Sequence, residues 1–269
     1  MAGLLPARRS KILSRELEVA ISAAKEAGEV LRGAFGGEQA IRHKGEVDIV
    51  TEADERAEAV IRDILLRGFP SYGMLAEEGG ELPGELDARW IVDPLDGTTN
   101  YAHGLPIFCV SIALERAGEV VAGVVYDPVR QETYVAERGS GATLNGEPVR
   151  VSGTDALIDG LVVTGFPYDR DEVPEAVVLF GRFAIVTQSI RRLGSAALDL
   201  CYVAAGRLDG YYERGVHPWD VAAGALMVEE AGGRVTDYRG GALDLGSREV
   251  VATNGRLHPA MIELTGEYG

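Results

Sequence analysis

Apolar or small residues at Leu17, Ile21, Ala24, Gly28, Leu31 and Phe35 recur every three or four positions, which predicts an amphipathic helix over residues 14–35. A second helix is expected from Thr51. Thr51 and Asp54 have the spacing of a capping box, and Val60, Ile61, Ile64 and Leu65 supply its apolar face. Residues 68–72 read as a loop, and the period then changes. Residues 89–92 are short and apolar and end at Asp93. Residues 107–114 and 119–126 are rich in Val and Ile and are separated by Ala117-Gly118, a hairpin signal. Residues 132–137 form another strand, and Asn145-Gly146 is a strong turn dipeptide. The first half therefore predicts one large antiparallel sheet flanked by two early helices.

The second half alternates. Residues 160–165 and 208–213 read as strands, and 174–184, 194–205 and 219–231 as helices, the last stopped by Gly232-Gly233. Alternation of this kind suggests an α/β layer. The expected division is an N-terminal α+β domain over 1–150 and a C-terminal α/β domain over 151–269.

Length and composition narrow the class. The chain has 269 residues, 46% apolar and 25% charged, enough for a sizeable core. No apolar run approaches the roughly 18–20 residues that span a bilayer. The N-terminal stretch to Ser14 carries Arg8, Arg9 and Lys11 without an apolar leader and reads as a frayed lead-in, so a cytoplasmic protein without membrane partners is expected. Cys109 and Cys201 sit in apolar surroundings and read as two buried thiols. A net charge of −16 argues against nucleic acid as a partner. It fits either a solvated acidic surface or carboxylates gathered around a cation.

The positions of the carboxylates bear on that choice. In residues 90–100 an apolar strand feeds Asp93 and Asp96, with Pro94 stiffening the turn between them. Gly97 allows close approach of the backbone, and Thr98, Thr99 and Asn100 fit the start of a helix. Hard carboxylates beside a phosphate-binding turn suit Mg²⁺. A calcium-binding EF-hand loop is excluded because Leu95 stands where an oxygen ligand is required. A covalent aspartyl mechanism of the haloacid-dehalogenase type is disfavoured because Pro94 stands at the nucleophile position. No P-loop lysine pattern appears.

Three further segments are ambiguous alone. Glu77-Glu78 before Gly79-Gly80 fits a solvated acidic loop or a cation site. Asp220, at the start of an otherwise apolar helix, fits a cap or a ligand, and Glu213 fits a surface position or a contact. Asp48, with Lys44 before it, fits a charged loop ahead of the capped helix.

Together, the Asp before the Val-Thr-x-x-Asp helix, the Glu-Glu pair, Trp-Ile-Val-Asp-Pro-Leu-Asp-Gly-Thr-Thr-Asn and Trp-Asp-Val-Ala-Ala-Gly-Ala with Glu-Ala-Gly-Gly resemble the inositol monophosphatase family over roughly residues 14–257. The resemblance implies a layered αβαβα sandwich of the sugar-phosphatase type. It implies a lithium-sensitive, Mg²⁺-dependent phosphatase, a homodimer, acting on a small phosphorylated polyol or sugar with two or three ions per site. Glu77, Asp93, the Leu95 carbonyl and Thr98 would line one ion, and Asp93, Asp96 and Asp220 a second; a third would bind near Glu77. Gly97, Thr98 and Thr99 would meet the phosphate, and Asp48 would polarise the Thr98 hydroxyl. Asp93, Ala196, Glu213 and Asp220 would meet the substrate's polyol part. Inositol 1-phosphate is the first expectation, with fructose 1,6-bisphosphate, histidinol phosphate and nucleotide or NADP phosphates as alternatives; a non-enzymatic metal- and phosphate-binding regulator is a further one. Ala76 and Gly79 flank the Glu pair where the family often has Gly and Ser, which touches no ligand side chain. No histidine is needed as a nucleophile, so His43, His103, His217 and His258 are expected to be supporting or surface residues.

Overall fold

The computed structural model describes residues 14–37, 41–43, 45 and 49–268. The lead-in before Ser14, Lys44 and Asp48 lie outside the described residues. Helix α1 (Arg15–Ala34) starts at Ser14, whose hydroxyl accepts from Leu17 N at 3.4 Å. A short antiparallel pair, β1 (Ile41–His43) and β2 (Ile49–Thr51), leads into α2 (Glu52–Gly68). The expected capping box is present. Thr51 Oγ1 accepts from Ala53 N at 3.2 Å, and Asp54 Oδ2 accepts from Thr51 N at 2.9 Å.

The first sheet contains β3 (Gly73–Ala76), β4 (Gly80–Leu82), β5 (Ala88–Asp96), β6 (Cys109–Arg116), β7 (Glu119–Asp127), β8 (Glu132–Glu137), β9 (Gly141–Leu144) and β10 (Glu147–Pro148), in the order β10-β9-β8-β7-β6-β5-β3-β4. It departs from the purely antiparallel expectation at one pair: β3 and β5 run parallel. β3 and β4 form a tight hairpin, and residues 83–87 then cross the start of β3, where Glu85 N bonds Ser71 O, so β5 enters on the other side in the direction of β3. β5 also runs on to Asp96 instead of stopping at Asp93. Asp93 pairs with Ser111 and Asp96 with Cys109, so one extra residue is bulged out. Pro94 has no N–H to give the ladder, which favours a bulge there.

The second sheet contains β11 (Leu161–Thr164), β12 (Ser189–Arg191), β13 (Gly210–Arg214), β14 (Arg234–Thr236) and β15 (Glu249–Thr253), in the order β12-β11-β13-β15-β14. β11 is parallel to both neighbours, and β15 is antiparallel to both of its own. Helices α3 (Thr98–Ala102), α4 (Val173–Val186), α5 (Ala196–Ala204), α6 (Pro218–Glu230) and α7 (His258–Thr265), with a short 3-10 turn at Leu157–Asp159, complete the described elements.

These elements stack as five layers, α–β–α–β–α, the sandwich that the family resemblance implied. α1 and α2 cover one face of the first sheet, burying Leu17, Leu31, Ile61 and Leu65 against Trp90, Val110 and Ile112. Each such side chain contributes about 1.5–3 kcal/mol. α5 and α6 lie between the sheets, where Leu198, Leu200, Val221 and Leu226 join Ile91, Val125 and Tyr211 in one cluster. This explains why α6 is apolar all round. α4 and α7 close the outer face over Val162, Phe183, Tyr212 and Met261. Cys109 and Cys201 are buried free thiols, as expected.

Candidate functional site

The bulge at the end of β5 creates the site. It aims Asp93 and Asp96 out of strict alternation, and both are buried. Asp93 Oδ1 accepts from Leu95 N at 2.9 Å, closing the turn. Gly97 then takes φ +99°, and a Cβ there would stand 2.8 Å from Ile107 O, so only glycine fits. α3 begins immediately after it. Asn100 anchors this turn by donating from Nδ2 to Ile107 O and Leu193 O, both at 2.8 Å.

The Thr98 hydroxyl lies 3.1 Å from Asp54 Oδ1 and 3.0 Å from Leu95 O, with one hydrogen to give. Asp54 is fully buried and its pKa is pushed up to about 6, mainly by that burial. Asp48, expected to act on Thr98, lies outside the described residues. Thr99 follows Thr98 in α3 and is half-buried.

Asp96 joins the two sheets' layers. Its Oδ2 accepts from the Ser195 hydroxyl at 2.6 Å and from Ala197 N at 2.7 Å, and its Oδ1 from Ala196 N at 3.2 Å. The start of α5 is thus held on Asp96. Asp220, on the first turn of α6, accepts from His217 N at 2.7 Å, so it is a cap as well as a member of the site. Glu77 follows β3 directly, with its N bonded to Val92 O at 3.1 Å. Glu58 of α2 shapes the loop beyond by accepting from Glu78 N and Gly79 N at 2.9 and 3.1 Å.

Electrostatics group these residues. Burial raises Asp93 well above the usual carboxylate range, and the charges of Glu77, Asp96 and Asp220 add to it. Asp220 is raised by burial and by Asp96, then by Glu77 and Glu213. Asp96 is raised by burial against the opposing bonds from Ser195, Ala197 and Ala196. Among the described residues, no three His, Cys, Asp or Glu side chains already form a group ready to hold a metal ion. The carboxylates act on one another's charge without converging on one point. Buried carboxylates that repel one another call for a cation, and hard oxygen donors of this kind fit Mg²⁺.

Glu213 closes the far side from β13. Its Oε2 accepts from the Tyr211 hydroxyl at 2.8 Å, and burial pushes its pKa up to about 7. A Cβ at Gly165 would fall 2.0 Å from Glu213 Oε1, so glycine there makes room for the carboxylate.

Sequence reasoning passed over several groups. Asp54 was legible only as a helix cap, although the same carboxyl reaches Thr98. Ser195 carries no pattern that separates it from a helix-capping serine. Asp199 is buried with Oδ1 unpartnered, and burial and the charge of Glu213 hold it well above the usual range. Its signal was visible: a lone carboxylate in an apolar helix. His258 corrects the expectation for the histidines. It is neither a surface nor a supporting residue of the site but is buried between Thr236 and Thr253 hydroxyls at 3.0 and 3.1 Å, because it opens α7 facing inward. His43 and His103 are exposed, and His217 stacks on Trp219 at 4.8 Å.

Known proteins resemble this chain in sequence and fold. An inositol-1-monophosphatase from Synechocystis is 48% identical over 90% of this chain and 85% of its own. The Nus factor SuhB of Escherichia coli K12 is 43% identical over 91% of this chain and 94% of its own. The crystal structure of extragenic suppressor protein suhB from Bartonella henselae superposes with a TM-score of 0.91 at 42% identity, covering 94% of this chain and 98% of that one. With residues 13–269 also matching the family as a whole, the chain belongs to the inositol monophosphatase family of phosphatases.

Proposed function

We propose that the protein is a Mg²⁺-dependent phosphomonoesterase that hydrolyses a small polyol or sugar phosphate, with inositol 1-phosphate as the first substrate to try. The observation that carries this reading is the gathering of Asp93, Asp96 and half-buried Asp220 beside the Gly97–Thr98 turn, with Asp93 raised by the charges of Glu77, Asp96 and Asp220, and Asp220 by those of Asp96 and Glu77. Glu77, Asp93, the Leu95 carbonyl and Thr98 would hold one ion, Asp93, Asp96 and Asp220 a second, with a third near Glu77. Bound there, Mg²⁺ supplies activation of a water and neutralises charge on the leaving oxygen.

The chain's own groups do the rest. A Thr98 hydroxyl that gives its hydrogen to Asp54, or to Asp48, keeps lone pairs to accept one from the attacking water. Thr98 and Thr99 follow Gly97 at the start of α3, and with it they would meet the phosphate. Glu213, Asp93, Asp220 and the Ala196 backbone would bind hydroxyls of the alcohol. No side chain is asked to form a covalent intermediate. The decisive assay compares kcat/KM for inositol 1-phosphate, fructose 1,6-bisphosphate, histidinol phosphate and nucleotide or NADP phosphates with Mg²⁺, and with Li⁺ added. Absence of turnover on every ester would overturn the reading.

The assembly in this reading is a homodimer. α4 leaves Val177, Val178 and Ile185 more than half exposed, an apolar face suited to a second copy; light scattering that gives a monomer at micromolar concentration counts against it. Two free buried cysteines suit the reducing cytoplasm. Among the described residues no helix is long and apolar enough to cross a membrane.

A second reading, a non-enzymatic binding role on the same fold, is favoured only by the relative named Nus factor SuhB. Calorimetry showing binding of a phosphate ester without turnover would support it.

A further inference from the structure

A second pocket lies on the outer face of the five-stranded sheet, beneath α4. Strand β13 alternates: Tyr211 points into the layer between the sheets, whereas Tyr212 packs in the outer layer. The pocket is walled by Thr164, Gly165, Glu172, Leu179, Tyr212 and Tyr238.

Two of these walls carry unmet polar atoms. Tyr212 is 2% exposed, and its hydroxyl makes no hydrogen bond of good geometry; the Thr164 hydroxyl near it gives its own hydrogen to Tyr212 O at 2.6 Å. Its ring stacks on Phe183 at 4.1 Å, which fixes where the hydroxyl points. Glu172 Oε2 is also buried without a partner. Glu172 as a residue is half-exposed at the start of α4, so it is this one oxygen, not the whole carboxylate, that is covered.

The surrounding charge is negative. Arg214 also lines the pocket, but its guanidinium is committed to Glu175 at 2.9 Å and to Glu249 at 2.7 Å. Those two carboxylates already exceed its single charge, and Glu172 adds another.

Size limits the occupant. The space open to the centre of a water-sized sphere is about 20 Å³, enough for one water or one ion of that size. Mg²⁺ would need room for several of its waters. We infer that this pocket binds a monovalent cation of water's size, K⁺ or ammonium, through Glu172 Oε2 and the Tyr212 hydroxyl. The inference stands apart from the phosphatase reading, and its failure leaves that reading intact.

The test uses the whole chain without Mg²⁺. Thermal unfolding is followed in about 100 mM KCl, ammonium chloride or choline chloride, choline being too large to enter. KCl and ammonium chloride are expected to raise Tm by roughly 2–4 °C over choline chloride. Glu172→Gln and Tyr212→Phe should each abolish that difference, whereas a cation held in the catalytic cleft would leave it unchanged in both variants. Crystals soaked in Rb⁺ should show an anomalous peak beside Tyr212 Oη and Glu172 Oε2. An ordered water only at that position, with equal Tm in all three salts, would overturn the inference.

Discussion

The Ser195 hydroxyl donates to Asp96 Oδ2 at 2.6 Å across 99 residues of chain. This bond, with the two amides beside it, locks the end of β5 to the start of α5. It therefore sets the position of one candidate metal ligand relative to the other sheet's layer. A hydrogen bond to a charged group contributes about 1.5–3 kcal/mol. In Ser195→Ala the amides of Ala196 and Ala197 remain, so the loss should fall at the lower end. The midpoint of urea unfolding should drop accordingly. Phosphatase activity should need more Mg²⁺ and fall about tenfold, since 1.4 kcal/mol is a factor of ten. Unchanged Mg²⁺ dependence would show that the bond does not position Asp96.

Asp93→Asn separates chemistry from stability. The asparagine oxygen can still accept from Leu95 N, so the turn should survive. One of the carboxylates that repel one another is removed. The metal-free variant should be as stable as the parent or more so, while phosphate release falls by roughly a thousandfold or more, as expected when a catalytic ion loses a charged ligand. Mg²⁺ should also cease to raise Tm. Undiminished activity would sink the assignment of Asp93.

How much of this was legible in the sequence depends on the range of the interaction. The capping box at Thr51 and Asp54, the hairpin at Ala117-Gly118 and the glycine after Asp96 are local, and local spacing predicts them. The parallel β3–β5 pair is not local, because its direction depends on residues 83–87 crossing the start of β3. The bulge at Pro94 was half legible: proline announces an interrupted ladder, but only the pairing with Cys109 shows that the strand continues. Ser195 and Asp54 became visible as site residues only once the fold placed Asp96 and Thr98 beside them.

Gly165 tests the polyol side. A Cβ there would overlap the Glu213 carboxylate, which must then move. A Cβ at Gly165 would meet Glu213 first and not a group proposed to hold Mg²⁺. Gly165→Ala should raise KM for the preferred ester several-fold and leave kcat within about twofold, the pattern of lost binding that is equal in the ground and transition states. A fall in kcat with KM unchanged would place Glu213 in the chemical step instead.

The pH dependence of stability has two opposing parts. Glu213 and Asp54 have folded pKa values raised to about 7 and about 6, from 4.5 and 3.8. Their stabilising contribution is fully present below the unfolded values and is lost as pH rises through about 6 and 7. Asp93, Asp96 and Asp220 shift the same way. His258 shifts oppositely, to about 4 from 6.5, because burial disfavours its charged form. Its contribution is present above 6.5 and is lost as pH falls toward 4. The metal-free protein should therefore be more stable near pH 6 than near pH 8, and below pH 6 His258, one group against several carboxylates, should make the further rise shallower without reversing it. Mg²⁺ should reverse the first trend, because its ligands must be deprotonated. Urea unfolding between pH 4 and 8, with and without Mg²⁺, reads both trends. Glu213→Gln should reduce the rise between pH 8 and 6, and His258→Asn should steepen the rise below pH 6. A metal-free protein that is most stable at pH 8 would contradict the burial of these carboxylates.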